Sequence, residues 1–333
     1  MQDLSLRTLN RFLRLRIKSR LARAATLKDA VRAFGLSPPY RTPIGGFRSE
    51  RVGGVPGEWT GAGGGPTLLY LHGGAYFAGS PKHYRPIACA FAAQGFTVFT
   101  PAYRLAPRHP FPAALDDVLA VCSALAGRGE SIVLAGDSAG GGLALALMIA
   151  RRDAGAALPA AAALFSPWTD LAVMGASARE NEACDPLFSR RMLKIAARTY
   201  LAGARPDDPR ASPLYADLRG LPPLLLHVGS NETLRDDSTR FCAQAEKSGV
   251  STRLTLWPDA PHCWQLIAEV LPEARQSIEE AAAFLHEFAG GQTYPQGPEE
   301  WGGSRGLRPS GGKNDGGAGV ALEISGAAGV GVG

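Results

Sequence analysis

No apolar run in the sequence is long enough to cross a membrane, which argues against a membrane-spanning helix. Nowhere in the 333 residues does a stretch approach the about 20 apolar residues that such a helix needs. The first residues also lack the apolar core, about 7–15 residues long, of a secretory signal peptide. We therefore expect a cytoplasmic protein that does not insert stably into membranes.

Cysteine is scarce, and its placement fits neither disulfides nor zinc. The five cysteines are odd in number, scattered and without Cys-x-x-Cys spacing, at Cys89, Cys122, Cys184, Cys242 and Cys263. This pattern is typical of free thiols in a reducing compartment. No group of residues has metal-ligand spacing either, so we expect no bound metal and no cofactor.

Neither sign of charge is in large excess. The net charge is +5 and no basic run alternates with aromatic residues, so nucleic-acid binding is not expected. The N-terminal stretch as far as Arg23 differs, because seven Arg and Lys residues lie there among Leu, Ile and Phe at helical spacing. An amphipathic basic helix of this kind is typical of a transit peptide or of a membrane-surface anchor.

Strand-like and helix-like patterns alternate along most of the chain. Strands are predicted near 67–72, 96–100, 131–136, 161–165, 223–228 and 252–257, and helices between and after them near 83–94, 112–126, 139–152, 236–248 and 272–288. Strands joined by helices imply a mainly parallel sheet with right-handed crossovers. Residues 290–333 are Gly-rich and poor in bulky apolar residues, so we predict a disordered tail after a single domain over 1–289.

The segment Gly136–Gly140 has the pattern Gly-x-Ser-x-Gly in an informative context. A buried strand, Ser131–Ala135, precedes it, and a buried helix starting with Gly141–Met148 follows it. A serine at the tip of a sharp strand-to-helix turn is the arrangement of a nucleophile elbow. The pattern therefore predicts that Ser138 is a catalytic nucleophile and not part of an ordinary Gly-rich loop.

A second motif, His72–Tyr76, follows the strand-like run Thr67–Leu71. A glycine pair after a strand allows backbone N–H groups to turn toward a ligand, and α/β-hydrolases use such a loop for one side of an oxyanion hole. The residue after the nucleophile supplies the other side. The predicted donors are the N–H groups of Gly74, Ala75 and Ala139, with Gly73 as a further contributor.

Together these motifs resemble those of the hormone-sensitive-lipase-like branch of the α/β-hydrolases, which includes bacterial carboxylesterases and acetyl esterases. The resemblance runs from about residue 30 to 288 and includes Tyr103–Pro107, Phe111–Ala114, Ser166–Asp170, Asp185–Leu187, Ala211–Leu214 and Leu221–Pro223. It implies an α/β-hydrolase fold, with a mainly parallel central sheet flanked by helices. It also implies a helical cap from 1–45 and 174–215, which makes the basic N-terminal helix part of the cap. Ala75 replaces a usual Gly, and Arg108 replaces a usual Glu.

In this fold the catalytic residues follow the order Ser, acid, His. His262 comes after a strand-like run and a turn-rich segment, which favours it as the base. The acid is less clear. Alignment through the acidic pair Asp236 and Asp237 places Glu232 at the acid position, whereas alignment from the end of the strand places Asn231 there. We assign Glu232, with Asp236 and Asp237 as lesser alternatives.

These residues predict a cofactor-free serine esterase that hydrolyses a small-molecule carboxylic ester through an acyl-enzyme. The resemblance implies small to medium acyl esters as substrates. Two alternatives stay open: a lactone hydrolase or amidase with the same triad, and a non-catalytic ligand-binding protein with a hydrolase fold. The sequence also leaves open whether the chain forms a homodimer.

Overall fold

A single mixed sheet forms the centre of the protein. The computed structural model describes residues 5–23, 46–290 and 322–324, and within them nine strands pair in the order β1-β2-β4-β3-β5-β6-β7-β8-β9. The strands are β1 Arg48–Val52, β2 Val55–Thr60, β3 Thr67–Leu71, β4 Thr97–Pro101, β5 Ile132–Asp137, β6 Ala162–Phe165, β7 Leu224–Gly229, β8 Thr252–Trp257 and β9 Leu322–Ile324. Strands β4, β3, β5, β6, β7 and β8 pair in parallel, while β1, β2 and β9 run antiparallel to their neighbours.

Helices flank the sheet and join its strands. In the described part of the chain they are α1 Leu6–Leu13, α2 Ser19–Arg23, α3 Arg85–Ala93, α4 Ala113–Ala126, α5 Ala139–Asp153, α6 Ser177–Glu180, α7 Arg190–Leu201, α8 Arg235–Lys247 and α9 Pro272–Ala289. A π-helical turn, Arg14–Lys18, connects α1 to α2. The predicted α/β-hydrolase fold is confirmed, and the strands and helices predicted between 67 and 288 lie within two residues of their observed bounds.

The central strands are buried on both faces, which explains their continuous apolar runs. Every residue of β3, β5, β6 and β7 is buried. Within β3, Leu69 and Leu71 join a core cluster that includes residues of α4, α5 and α8, whereas Leu68 and Tyr70 join a second cluster that includes residues of α3 and α9. Alternate side chains thus serve opposite layers, as expected for a parallel sheet covered by helices on both sides.

The N-terminal segment packs on the domain through its apolar side. Leu9 joins Trp257 and Trp264 in one small cluster, while Ile17 and Leu21 form another, against which Leu187 and Met192 pack. Asn10 Nδ2 donates to the carbonyl of Asp259 at 2.8 Å, close in sequence to His262. Residues 24–45 lie outside the described residues, so the cap predicted over 1–45 and 174–215 stays a prediction. No helix in the described segments has the length and hydropathy of a membrane span.

The predicted disordered tail, 290–333, lies outside the described residues except for Gly290 and β9. The three residues of β9 correct that prediction locally, because they pair with β8 antiparallel, Leu254 opposite Ile324 and Leu256 opposite Leu322. Strand β8 would otherwise be an edge strand. The free N–H and C=O groups of an edge strand can form hydrogen bonds with a short extended segment, as they do here with β9.

Deletion of residues 290–333 should leave the melting temperature and the predicted esterase activity nearly unchanged. Only three residue pairs connect β9 to the sheet in the described part of the chain. A loss of 1 kcal/mol would lower the melting temperature by about 2–4 °C in a domain of this size. Differential scanning calorimetry of the full and truncated chains measures the difference. A drop of more than about 8 °C, equivalent to at least about 2 kcal/mol, would show that the tail contributes substantially.

Candidate active site

Ser138 lies at a sharp turn between β5 and α5. Its backbone has φ 53° and ψ −122°, an unusual conformation for a residue with a side chain. Three hydrogen bonds fix the turn: the Ser138 N–H donates to Phe165 O at 2.8 Å, and its carbonyl accepts from Trp168 N at 2.9 Å and from Gly142 N at 3.1 Å. A strained conformation held by its surroundings is typical of a functional site.

Close backbone packing explains why glycine flanks Ser138 two residues away on each side. A Cβ at Gly136 would lie 2.7 Å from Gly140 O and 2.9 Å from Leu71 O. At Gly140 a Cβ would overlap Leu71 O and lie 2.5 Å from His72 O. The elbow therefore sits directly on the end of β3, which carries the His72–Tyr76 loop. This contact brings the two sequence motifs together.

Gly140→Ala should destabilise the protein, because the new methyl group meets backbone atoms that cannot rotate away. Overpacking of this kind costs about 1–3 kcal/mol. Gly127→Ala is the matched control, since Gly127 has φ −65° at the end of α4 and a Cβ there would be 3.4 Å from its nearest neighbour. Urea unfolding of both variants tests this. Equal stability of Gly140→Ala and the wild type would contradict the packing described here.

His262 and Glu232 meet through a short hydrogen bond. Nδ1 of His262 donates to Glu232 Oε2 at 2.6 Å, and both side chains are buried. The other carboxylate oxygen, Oε1, accepts from the Gly229 N–H at 2.6 Å and from Ser166 Oγ at 2.7 Å. The carboxylate is therefore fixed at both oxygens and oriented toward the imidazole. Nε2 of His262 has no hydrogen-bond partner among the described residues.

The alternative residues for the acid position have other partners. Asn231 Nδ2 donates to Asp259 Oδ1 at 2.9 Å, at the exposed edge of the loop. Asp236 Oδ2 accepts from the Ser177 N–H at 2.9 Å, and its Oδ1 pairs with Arg235 at 3.0 Å. Neither contacts His262 among the interactions of the described residues. Asp236 thereby connects the start of α8 to α6, whereas Asn231 connects two loops.

Asp237 is buried, and its carboxylate binds the backbone of the segment that follows β6. Its Oδ1 accepts from the N–H groups of Thr169, at 2.8 Å, and Asp170, at 2.9 Å. Burial and the nearby charge of Asp170 raise the pKa of Asp237 well above its usual range. Arg240 pairs with Asp170 at 2.7 Å and offsets part of that charge. Asp237 thus organises the segment after β6 and is not in contact with His262.

The environment of His262 keeps its imidazole basic despite burial. Burial alone lowers the pKa of His262, but the charge of Glu232 and the hydrogen bond to it outweigh this, so that the pKa is raised above the ordinary 6.5. The ring of Phe188 approaches the imidazole edge-on, with centroids 4.8 Å apart. Phe188 was not predicted as a site residue, because nothing in its local pattern indicates this contact.

The loop after β3 presents two backbone donors. Gly74 has φ 114° and Ala75 has φ 53°. The Gly74 carbonyl accepts from Phe77 N at 3.1 Å and Ala78 N at 2.9 Å, which closes a tight turn. The N–H groups of Gly74 and Ala75 donate to no acceptor within the described chain. Ala139 begins α5, where the first N–H has no intrahelical acceptor.

The prediction that Gly73 contributes an oxyanion donor is wrong. Its N–H donates to Asp137 Oδ1 at 2.9 Å and is therefore not available to a ligand. The same carboxylate accepts from Tyr70 OH at 2.9 Å and from Tyr84 OH at 3.1 Å. Burial raises the pKa of Asp137 to about 6, although these hydrogen bonds oppose the shift. Asp137 thereby connects the turn of Ser138 to the His72–Tyr76 loop.

Aromatic residues pack on both sides of this loop. Tyr200, on α7, stacks on Tyr76 with ring centroids 3.7 Å apart. On the inner side, Tyr103 stacks on His72 at 4.3 Å, and its hydroxyl donates to the His72 carbonyl. Burial lowers the pKa of His72 to about 4, so it stays neutral near pH 7. His72 is thus a packed residue of the loop.

Cys263, beside His262 in the sequence, is a packed side chain. It is buried, and its Sγ lies 3.9 Å from Phe165 O. Burial raises the pKa of its thiol well above the ordinary value, so the reactive thiolate is disfavoured. All five cysteines are free thiols. The described residues contain no group of three or more His, Cys, Asp or Glu able to hold a metal ion.

Comparison with known proteins decides the family. A family model described as alpha/beta hydrolase fold matches residues 68–266. The chain belongs to the α/β-hydrolases. An acetyl-hydrolase of Streptomyces hygroscopicus is 46% identical over 230 residues, which cover 68% of this hydrolase and 77% of the relative. An esterase of Acinetobacter venetianus is 37% identical over 251 residues, 73% of this chain and 83% of the relative.

Similar solved structures identify the branch of the α/β-hydrolases to which this chain belongs. An esterase from the bacterial hormone-sensitive lipase family has 40% sequence identity and a TM-score of 0.79, covering 84% of this chain and 98% of that chain. A hormone-sensitive lipase from a metagenome library has 33% identity and a TM-score of 0.81, covering 87% of this chain and 100% of that chain. The predictions of a hormone-sensitive-lipase-like hydrolase and of a carboxylic ester hydrolase are confirmed.

Proposed function

We propose that this hydrolase is a serine carboxylesterase that acts on small to medium acyl esters through Ser138, His262 and Glu232. The observation that carries the proposal is the 2.6 Å hydrogen bond between His262 Nδ1 and a buried Glu232, which leaves Nε2 unpaired within the described residues. An imidazole oriented by a carboxylate, with its second nitrogen available, is what a general base for a serine requires.

The mechanism follows from the roles of these groups. Nε2 of His262 accepts the Ser138 proton while Oγ attacks the ester carbonyl. The carbonyl oxygen gains negative charge, and the N–H groups of Gly74, Ala75 and Ala139 stabilise it. His262 then donates its proton to the leaving alcohol, and the acyl group stays on Ser138. Water, activated by the same imidazole, hydrolyses the acyl-enzyme and restores Ser138.

Glu232 contributes electrostatically and by orientation. When His262 carries the proton, the adjacent carboxylate stabilises the imidazolium. The hydrogen bonds from Gly229 and Ser166 prevent the carboxylate from rotating away, since Oε1 accepts both. Ser166 and Gly229 are therefore positioning residues that act through Glu232.

The pH dependence should follow the protonation of His262. The base must be neutral, so kcat/KM is expected to fall as the pH drops through a pKa above the ordinary 6.5. Glu232→Gln removes the charge that raises this pKa, which should move the acidic limb to lower pH. Burial lowers the pKa of His72 to about 4 and that of His227 to about 3, so neither accounts for a limb near neutrality. A profile that is flat between pH 5 and 8 would contradict His262 as the base.

We propose that residues 1–45 and 174–215 form a cap that restricts substrate size. The contact of Phe188 with His262 and the stacking of Tyr200 on Tyr76 support this, because both aromatic residues come from the 174–215 segment. Side chains so near the site leave room for short acyl groups and disfavour long triglycerides. Free cysteines favour a reducing compartment, and we propose the cytoplasm.

A substrate panel tests the reaction class. We expect p-nitrophenyl acetate and butyrate to be hydrolysed with a much higher kcat/KM than p-nitrophenyl palmitate, a γ-lactone or the corresponding p-nitroanilide. A preference for the lactone or the anilide would favour the alternative lactonase or amidase. No turnover of any of them by folded protein would favour a non-catalytic ligand-binding role.

A further inference from the structure

Basic residues are concentrated in two helical segments of the proposed cap. Residues 5–23 contain seven of the 35 Lys and Arg residues and α7 contains four, and neither segment contains Asp or Glu. The remainder of the chain has 24 basic and 30 acidic residues, so the net charge of +5 comes entirely from these segments. The charge is therefore segregated on one part of the molecule.

The two segments are in contact with each other. Ile17 and Leu21, on the N-terminal segment, pack against Met192 on α7 and against Leu187 just before it. Lys18 Nζ donates to the carbonyl of Asp185 at 2.7 Å, which ties the same segment to this region. We refer to the exposed sides of α1, α2 and α7, with the π-helical turn, as the cationic cap face.

The basic residues that the cationic cap face takes from residues 5–21 and from α7 have no acidic partners within the described chain. Eleven other arginines form ion pairs with Asp or Glu, but none of the ion pairs of the described residues involves a basic residue of residues 5–21 or α7. Arg11, Arg191 and Arg198 are exposed. Such a set of unpaired cations attracts a polyanion or an anionic surface.

Exposed apolar side chains lie among these cations. Phe12 is 46% exposed, Leu15 64% and Ile195 43%, three of the five exposed large hydrophobic residues in the described part of the chain. Free anions and nucleic-acid phosphates do not require apolar side chains of this kind. A lipid interface does, because its headgroups attract Arg and its acyl boundary accepts Phe, Leu and Ile.

We propose that the cationic cap face docks the hydrolase on the surface of an anionic lipid bilayer. The docking is peripheral, because the opposite side of the N-terminal segment is already buried through Leu9, Ile17 and Leu21. Phe188, which touches His262, lies two residues before α7. The docked face therefore belongs to the same cap segment as the active-site aromatics, so that esters dissolved at the membrane are concentrated near the site. The docking does not depend on the identity of the catalytic residues.

Vesicle flotation of the full chain tests the proposal. We expect binding to vesicles of equal parts phosphatidylglycerol and phosphatidylcholine in 50 mM salt, no binding to pure phosphatidylcholine, and loss of binding in 500 mM salt. Arg11→Gln/Arg191→Gln should weaken binding by at least about tenfold, since each cation near an anionic membrane contributes appreciably. Phe12→Ser/Leu15→Ser should weaken it to a similar extent. Lys82→Gln/Lys247→Gln, which removes two exposed charges elsewhere, should bind like the wild type.

Folding of each variant is checked by its melting temperature, so that a loss of binding is not confused with unfolding. No flotation of the wild type with the anionic vesicles in 50 mM salt would overturn the proposal. An equal loss of binding in Lys82→Gln/Lys247→Gln would also overturn it, because binding would then depend on net charge and not on the cationic cap face. Undiminished binding of Phe12→Ser/Leu15→Ser would also contradict it, since attraction to any polyanion would then be sufficient.

Discussion

Ser138→Ala should lower kcat for a short-chain ester by about 10⁶-fold and leave the fold intact. Ser138 occupies the elbow between β5 and α5, and its backbone, not its side chain, makes the contacts that hold the turn. Removing Oγ therefore removes the nucleophile without removing a structural hydrogen bond. Steady-state kinetics with p-nitrophenyl acetate measure the loss of kcat. Circular dichroism checks that the variant keeps the secondary structure of the wild type.

Cys263→Ala is the matched control for Ser138→Ala. Cys263 is a nucleophilic side chain adjacent to His262 in the sequence, and its thiol has a pKa well above the ordinary value because it is buried. We expect Cys263→Ala to retain at least a tenth of the wild-type kcat. Full activity in Ser138→Ala, or a collapse of activity in Cys263→Ala alone, would show that the nucleophile is misassigned.

Glu232→Gln should lower kcat by about 10⁴-fold, the cost measured for an acid-to-amide change in a well-studied catalytic triad. The amide carries no charge to stabilise the imidazolium. Its NH₂ group would also face either the Nδ1–H of His262 or the donors Gly229 and Ser166, so one side must lose its acceptor. The effect should appear in kcat more than in KM, because the charge matters most once His262 is protonated.

Asp236→Asn is the comparison for Glu232→Gln, since Asp236 is acidic, close in sequence and partly buried, but bonded to Ser177 and Arg235. We expect it to change kcat less than tenfold. If Glu232→Gln keeps more than a tenth of the wild-type kcat while Asp236→Asn collapses, the acid is misassigned. Similar kcat in both variants and the wild type would mean that another group orients His262.

The sequence predicted those features that arise from local pattern. Buried parallel strands have continuous apolar runs, and the Gly residues around Ser138 and after His72 are required by close backbone contacts. Glu232 was assigned through its spacing to an acidic pair, and it bonds to His262, whereas Asp236 bonds elsewhere. Local pattern was thus sufficient for the fold, while the catalytic roles of Ser138, His262 and Glu232 stay predictions.

Side chains that meet across long separations in the chain were not predictable. The prediction for Gly73 failed because its N–H is taken by Asp137, 64 residues away, and no periodicity indicates that bond. Phe188 contacts His262, and Tyr200 contacts Tyr76, only because residues distant in the sequence come together in the folded chain. The pairing of β9 with β8 depends likewise on an edge that exists only in the folded sheet.

Covalent labelling tests the central claim most directly. Intact-mass analysis after incubation with a p-nitrophenyl alkylphosphonate should show one adduct per chain, formed in step with the loss of esterase activity, and peptide mapping should place it on Ser138. Such an adduct requires a nucleophile activated by His262 beside an oxyanion hole. An unmodified protein that keeps its activity, or an adduct on another residue such as Cys263, would contradict the assignment of a serine esterase with Ser138 as its nucleophile.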